Sequence, residues 1–269
     1  MDPLYWKSLI QGIVQGVTEF LPISSTGHMI LFNEFLEMEK PFSDMFEVVI
    51  QLGSILSVLV YFHKKIFPTS LRRETLRPWF FMWLKVAAAV VPALIVGALA
   101  GSFIQEKLYN AVTVACALLI GGIFIIAADS RERGDSTLRE IAELSWGRAV
   151  GIGCCQCVAM IPGVSRSAAT IVGGMFLGCS RPLAAEFSFF LAIPTMLAAS
   201  AYSLMKHGAH VSGTQWIALA IGFVTAFLVA LGVISFFMNW IRKHDFKPFG
   251  YYRIVLAAVV FILFFLHVI

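Results

Sequence analysis

The stretch EFLPISSTGH, residues 19–28, is a polar interruption between two apolar segments. It contains an acid, a helix-breaking proline, three hydroxyl side chains, a glycine and a histidine. If the flanking segments lie in a membrane, irregular backbone at this depth requires protein groups or a water-filled cavity to satisfy its hydrogen bonds. The stretch therefore predicts a broken helix beside a polar cavity.

The composition places the chain in a membrane. Of its 269 residues, 59% are hydrophobic and 13% are charged, whereas a soluble domain is about 45–50% apolar. The mean hydropathy is +0.83. The net charge of +4 is spread over several loops, which argues against nucleic acid as a partner. The first ten residues have no basic region followed by an apolar run and a cleavage site, so we expect no removable signal peptide.

Three of the five cysteines form the sequence CCQC at residues 154–157. No second cysteine cluster accompanies it, and the surrounding segment is apolar. We therefore interpret these cysteines as small residues filling a membrane helix, and not as a metal or redox site.

Six apolar runs approach the roughly 20 residues that a membrane-spanning helix needs. They cover approximately residues 46–62, 79–100, 111–128, 184–205, 215–240 and 251–269. Two further apolar segments, around 4–36 and 147–179, are broken near the middle by proline and hydroxyl residues. Neither broken segment has the pattern of a straight span.

The two halves of the chain resemble each other. Segments 46–65 and 187–206 share residues at a constant offset of 141, among them Leu56 and Leu197, Tyr61 and Tyr202, and Lys65 and Lys206. An offset of one residue less aligns Pro22 with Pro162 and Ser25 with Ser165. A third match places residues 83–97 beside 216–230. This long period is typical of a duplicated membrane unit.

Loop charge gives the topology. If each broken segment enters and leaves on one side, the loops 64–79, 129–148 and 241–250 share a face that carries twelve Lys and Arg residues. The opposite loops carry only Lys40, Lys107 and Lys206. The positive-inside rule makes the first face cytoplasmic and places both termini outside. The two broken segments then enter from opposite sides and meet near the midplane.

We therefore predict an all-α polytopic membrane protein with a single integral membrane domain over residues 1–269. It is built as an inverted repeat, with repeat one at about 1–130 and repeat two at about 145–269. Each half holds three transmembrane helices plus one re-entrant helix-loop-helix, and the odd number of spans per half gives the copies opposite orientations.

Both breaks offer helix N-termini to a common space. Ser24, Ser25 or Thr26 can cap the helix after Pro22, and Ser165 or Ser167 can cap the helix that follows in PGVSRSAAT, residues 162–170. Two helix N-termini that point at one cavity favour an anion, above all phosphate. Arg166 strengthens this prediction, because its guanidinium matches phosphate oxygens. The alternative interpretation is a structural ion pair between Arg166 and Glu19.

The first break also carries groups suited to catalysis. Gln15 and Glu19 are one helical turn apart, so their oxygens can bind a hydrated divalent cation or place a base beside the break. His28 follows Ser25 by three residues, and the pair can serve as nucleophile and base while Glu19 orients the imidazole or takes the proton itself. Glu47 and Glu186 can line the rim of the cavity or lie at the membrane interface, and we favour the interface. Lys85, Arg181 and Arg253 lie near predicted span ends, where snorkelling accounts for them.

Three motifs carry a family resemblance. QGVTE at 15–19, LPISSTGH at 21–28 and PGVSRSAAT at 162–170 resemble the (E/Q)xxxE, SSTGH-type and PGxSRSxxT motifs of the bacterial undecaprenyl-diphosphate phosphatases of the bacitracin-resistance type. The resemblance runs along nearly the whole chain. Many members have glutamate where this chain has Gln15, so this motif offers one carboxylate here where those members offer two.

The resemblance implies an enzyme of the bacterial cytoplasmic membrane that hydrolyses undecaprenyl diphosphate to undecaprenyl phosphate and phosphate, depends on Mg²⁺ or Ca²⁺, and opens its site towards the periplasm. It implies bacitracin resistance through loss of the drug's lipid target, and it is compatible with a homodimer. We assign catalytic roles to Ser25, His28, Glu19 and Arg166, and metal binding to Gln15 and Glu19. The phosphate-binding residues are then Ser24, Thr26, Gly27, Gly163, Ser165, Ser167 and Thr170.

Other functions and mechanisms remain open at this stage. Secondary transporters also bind substrates between broken helices of an inverted repeat, so a polyprenyl-phosphate flippase or an anion transporter is the main alternative. A lipid-diphosphate binder without turnover is another. Within the phosphatase hypothesis, water or His28 can replace Ser25 as the attacking group.

Overall fold

The computed structural model describes residues 2–36, 38–131, 138–208 and 211–268. Within these residues the chain is helical, without a β-strand. The helices are α1 (Pro3–Thr18), α2 (Ser25–Leu36), α3 (Phe42–Tyr61), α4 (His63–Ile66), α5 (Arg73–Leu108), α6 (Ala111–Arg131), α7 (Trp146–Val158), α8 (Arg166–Phe176), α9 (Arg181–His207), α10 (Gly213–Trp240) and α11 (Lys247–Phe265). A short 3₁₀-helix, Ile141–Glu143, precedes α7.

The six predicted spans are confirmed as helices that are long and apolar enough to cross a membrane, and the chain is a multi-pass membrane protein. They are α3, α6, α9, α10, α11 and the segment Arg73–Ile104 of α5. Three of them, α3, α5 and α11, begin about four to six residues before their predicted apolar runs. Helix α5 starts at Arg73, ahead of the predicted residue 79, and α11 starts at Lys247, where a proline at the first or second position fixes the helical φ.

The two broken segments form pairs of short helices. Helices α1 and α2 have 16 and 12 residues, and α7 and α8 have 13 and 11. At 1.5 Å per residue the longest of them is about 24 Å long, which is less than the hydrocarbon thickness of about 30 Å. The partners in each pair pack against each other, α1 on α2 and α7 on α8.

Close helix packing follows the same pattern in both halves. Helix α1 packs on α10 where Gly12 meets the backbone of Gly222, and α7 packs on α5 where Gly153 meets the backbone of Ala89. In both places a Cβ on the glycine would overlap the facing carbonyl oxygen. Gly12 and Gly153 are 141 residues apart, and Ala89 and Gly222 have the offset of the third sequence match. Helix α3 packs on α9, and α6 packs on α11.

The interpretation of Lys85 and Arg181 as snorkelling side chains requires correction. Lys85 is buried because α5 begins earlier than predicted, and its ammonium donates to the carbonyls of Ile141 and Ala142 at 3.0 Å each. The Nε of Arg181 donates to Oδ1 of the buried Asp129 at 2.7 Å. These cations therefore join α5 and α9 to neighbouring segments.

Candidate active site

The two breaks meet in the interior of the helix bundle. Arg166, the first residue of α8, donates from a terminal nitrogen to Oε1 of Glu19 at 2.9 Å. The Oγ of Ser167 donates to the carbonyl of Leu21 at 3.1 Å. The side chains of Arg166 and Glu19 are 9% and 4% exposed. A charged pair and a neutral hydrogen bond therefore hold the second break against the first.

Glu19 is the centre of this polar cluster. Its Oε2 accepts from the amide nitrogen of Gln15 at 2.7 Å and from the hydroxyl of Ser25 at 3.1 Å. The predicted common orientation of Gln15 and Glu19 is thus present. A serine hydroxyl that donates to a carboxylate, itself oriented by an arginine, has the geometry of a nucleophile with its base.

One guanidinium nitrogen of Arg166, Nε, makes no hydrogen bond with the described residues. One terminal nitrogen contacts Glu19, and the other donates to the carbonyl of Ser188 at 3.0 Å. Its Nε is buried and has no acceptor among the described residues. Because buried guanidinium N–H groups are almost always satisfied, this donor is available to an oxygen of a ligand.

Serines cap both helices that follow the breaks. Ser24 and Ser165 each have φ of 72°, and each side-chain oxygen accepts from the backbone N–H three residues later, Gly27 and Ala168, at 3.2 Å. A positive φ is strained for a residue with a side chain and is concentrated at functional sites. The two caps are 141 residues apart, so the shifted alignment of Ser25 with Ser165 is wrong: Ser24 matches Ser165, and Ser25 matches Arg166.

The other predicted phosphate-binding residues surround these caps. Ser167 bonds to the hydroxyl of Ser165 at 3.0 Å, and the fully buried Thr170 bonds to Ser188 at 2.6 Å. Gly163 has φ of 92°, a conformation that favours glycine. Thr26 is half-buried beside Ser25 in the first turn of α2. The hydroxyls of Ser167 and Thr170 therefore fix the position of α8.

His28 has two hydrogen bonds that do not involve Ser25. Its Nδ1 lies 2.7 Å from the carbonyl of Ser24, and its Nε2 lies 2.8 Å from the hydroxyl of Tyr252 on α11. A carbonyl only accepts, so Nδ1 carries the proton and a neutral Nε2 accepts from Tyr252. In this arrangement His28 braces the cap residue, while Glu19 accepts the hydrogen bond from Ser25.

Arg253 is the functional-site residue that the sequence interpretation missed. It is completely buried, and its guanidinium donates to the carbonyls of Gly163 and Val164 in the second break at 3.0 and 2.9 Å. It also contacts the carbonyl of Pro22 in the first break at 3.4 Å. Its remaining bonds go to the carbonyls of Ala117 and Leu118 in α6. Snorkelling is therefore wrong for Arg253. The sequence feature that could have shown this is Pro248. A proline favours the first turn of a helix, so it places the helix start at Lys247 and Arg253 well inside the helix.

A buried polar stripe leads from this cluster along α1. Ser8, Gln11, Gln15 and Glu19 recur at helical spacing and are all buried. Gln11 donates to Asn33 on α2, and Asn33 donates to Glu47 on α3. Glu47 therefore belongs to an interior network instead of the interface. Glu186 pairs with Lys65 at 2.7 Å. The spacing of the stripe is visible in the sequence. The contacts of Asn33 and Glu47 with it depend on how α2 and α3 pack beside α1.

The cluster offers few protein oxygens to the predicted divalent cation. Glu19 is its carboxylate, and both of its oxygens already accept from Arg166, Gln15 and Ser25. Gln15 presents its amide nitrogen to Glu19, so Oε1 is the atom of this side chain that could coordinate a cation. Among the residues that the structure describes, no three His, Cys, Asp or Glu side chains are grouped to hold a metal ion.

Comparison with known proteins gives a consistent result. The family model described as bacitracin resistance protein BacA matches residues 8–259. Undecaprenyl-diphosphatase 1 of Clostridioides difficile strain 630 is 48% identical over 269 residues, which cover 97% of this chain and 96% of that protein. Undecaprenyl-diphosphatases of Enterococcus faecalis and Acetivibrio thermocellus are each 45% identical. They align over 96% of both chains, and over 97% of this chain and 98% of the relative, respectively.

Proposed function

The chain belongs to the bacitracin resistance protein BacA family, and we infer from this membership and from the site that it is an undecaprenyl-diphosphatase. It hydrolyses undecaprenyl diphosphate to undecaprenyl phosphate and phosphate, and so recycles the lipid carrier of cell-wall synthesis. Removal of the diphosphate lipid also gives resistance to bacitracin. One observation carries the chemistry: the Ser25 hydroxyl donates to Glu19, which is paired with Arg166 from the other break.

The diphosphate binds between the two breaks. The free Nε of Arg166 supplies one donor to a phosphate oxygen. Helix geometry leaves the first N–H groups of α2 and α8 without partners inside the helix, and each capping serine takes only one of them. The remaining N–H groups of Ser25, Thr26, Arg166 and Ser167 can bind phosphate oxygens and stabilise charge in the transition state.

Ser25 attacks the terminal phosphorus. The bond from its Oγ to phosphorus forms as the bond to the bridging oxygen breaks, undecaprenyl phosphate leaves with the bridging oxygen, and Glu19 takes the hydroxyl proton. Glu19 passes this proton to the departing undecaprenyl phosphate or to solvent and is again a carboxylate. It then takes a proton from the water that attacks the phosphoserine, and it returns that proton to the Oγ of Ser25 as phosphate is released. The hydrogen bond between Ser25 and Glu19 supports this route over attack by His28, whose nitrogens are bonded elsewhere.

The inverted repeat belongs to this proposal. The short paired helices, the two serine caps and the equivalent packing of Gly12 and Gly153 support two copies, each with a re-entrant pair. The basic loops then lie on the cytoplasmic face of the inner membrane. We propose that the site opens to the periplasm, because the buried stripe from Glu19 to Ser8 follows α1 towards the outer face. A homodimer stays a prediction, measurable by light scattering in detergent.

In this proposal a divalent ion binds to the site together with the substrate. Mg²⁺ is usually held by one or two carboxylates together with substrate phosphates. The protein offers one committed carboxylate at Glu19, so the diphosphate must contribute most of the oxygens. We propose that Mg²⁺ or Ca²⁺ binds as a complex with the diphosphate, and the protein steps above do not depend on it.

Phosphate release from undecaprenyl diphosphate by purified protein in detergent tests the function. We expect release by the native protein and by Ser130→Ala, an exposed serine bonded to the carbonyl of Ile126, and strong losses in Ser25→Ala and Arg166→Ala. Acid quenching should trap a phosphoserine in the native protein and none in Ser25→Ala. Bound substrate without release by folded native protein would contradict the proposal and favour a carrier.

A further inference from the structure

An apolar groove lies beside the second break. It has a volume of about 620 Å³ and is bounded by α6, α7 and α8. Its lining includes Cys116, Phe124, Cys155, Val164, Ala169 and Phe176. Ionisable carboxylates, lysines and arginines are absent from its lining among the described residues. The volume lies within the roughly 300–1,000 Å³ that is typical of ligand pockets.

One end of the groove adjoins the phosphate-binding cluster. Val164 lines the groove two residues before Arg166, and its carbonyl is held by Arg253 at 2.9 Å. Ala168 and Ala169 line it from the first turn of α8, the same turn that contributes Arg166 and Ser167 to the site. A chain attached to a phosphate on Arg166 can therefore enter the groove directly.

The opposite side of the groove opens to the bilayer. Phe124 is 56% exposed and Phe176 is 49% exposed, although both are large and apolar. On helices of a membrane protein such side chains face lipid. An apolar chain can thus pass from the site into the hydrocarbon without crossing a polar surface.

We propose that this groove holds the isoprene units next to the diphosphate, so that the tail of the substrate leaves the site between α6 and α8. This inference rests on the proposed function, because it takes a prenyl chain as the occupant. The continuity of the groove with the N-terminus of α8 favours that chain over a bilayer phospholipid. The groove then selects a diphosphate with an apolar chain over a soluble diphosphate, since burial of each methylene is favourable.

The native cysteines provide the first test. Cys116 is exposed and lines the groove, whereas Cys154 is exposed on α7 and does not line it. Saturating undecaprenyl phosphate should slow alkylation of Cys116 by N-ethylmaleimide by about tenfold or more, as expected when a bound chain excludes the reagent. Cys154 should react at an unchanged rate, and inorganic phosphate should protect neither. Equal protection by a phospholipid, or no protection of Cys116, would overturn the proposal.

Substitutions at the same two positions provide the second test. Cys116→Trp fills the groove from α6, and Cys154→Trp adds the same ring elsewhere. In Cys116→Trp we expect the KM for C55 and C15 prenyl diphosphates to rise by about tenfold, because the first isoprene units lose their contacts. Cys154→Trp should keep the native KM. Unchanged KM in Cys116→Trp would overturn the groove assignment alone, whereas no phosphate release by the native protein would overturn the function.

Discussion

Glu19 accepts a hydrogen bond from the hydroxyl of Ser25 at 3.1 Å, and these residues lie on opposite sides of the first break. The bond crosses the turn between α1 and α2, so the turn itself aligns a carboxylate with a hydroxyl. Arg166 holds the same carboxylate from the second break at 2.9 Å. The proposed catalysis by Ser25 therefore requires that both breaks are folded together.

Replacement of the carboxylate in Glu19→Gln should abolish most activity. An amide cannot accept the serine proton, so kcat should fall by about 10²–10⁴-fold, the usual contribution of a general base. Phosphate release under substrate saturation measures it. Glu186→Gln is the control, because that carboxylate pairs with the exposed Lys65. Native kcat in Glu19→Gln would show that another group takes the proton.

Two variants distinguish a bracing role of His28 from a role as general base. If His28 only braces the loop, Tyr252→Phe should lower kcat by about fivefold, near the net value of one hydrogen bond of about 1 kcal/mol. His28→Ala removes both bonds and should lower kcat by about thirtyfold. The two variants break bonds to the same ring. A drop of about 10²-fold or more in His28→Ala, with Tyr252→Phe unaffected, would instead identify the imidazole as the base.

Metal binding without substrate should depend on residue 15. The native protein has one committed carboxylate in the cluster, so we expect it not to retain Mn²⁺ in the absence of a diphosphate. Gln15→Glu places two carboxylates one turn apart and should retain Mn²⁺, as measured by electron paramagnetic resonance in detergent. Gln215→Glu adds an equal charge at the start of α10 and serves as the control. Retention by the native protein would contradict the expectation.

Arg253 should be essential for stability. Arg253→Met leaves the carbonyls of both breaks without their donor, and Arg253→Lys offers a point charge that cannot reach all of them. We expect losses of about 3 kcal/mol or more for Met and less for Lys, measured as the unfolding midpoint in detergent. Arg242→Met, at an exposed loop position, should match the native protein. An unfolding midpoint in Arg253→Met equal to that of the native protein would contradict a stabilising role for Arg253.

Two glycines of α7 should respond oppositely to alanine. A Cβ at Gly153 overlaps the backbone of Ala89, so Gly153→Ala must separate α7 from α5 and should destabilise the protein by about 1–3 kcal/mol. Gly147 has open space around its Cα, so Gly147→Ala should be neutral or slightly stabilising. Thermal unfolding of both variants measures the difference. Equal effects would contradict the close approach of the two helices.

The sequence by itself determined that the chain lies in a membrane. It also determined the six spans, the two breaks and the residues that form the cluster. These features are local, because hydropathy over about 20 residues, a proline and a row of hydroxyls act through the chain segment that carries them. The alignment at an offset of 141 also came from the sequence. It could not show that Ser24 is the cap that matches Ser165, because three neighbouring hydroxyls have similar capping propensity.

Only the tertiary structure decided which partners these residues have. The contacts of Glu19 with Arg166, of Asn33 with Glu47, and of Arg253 with both breaks join residues far apart in the chain. The groove beside α8 likewise exists only because three helices, α6, α7 and α8, contribute its lining. A side chain's burial and hydrogen bonds depend on the segments packed around it, and the periodicity of its own helix carries no information about those segments.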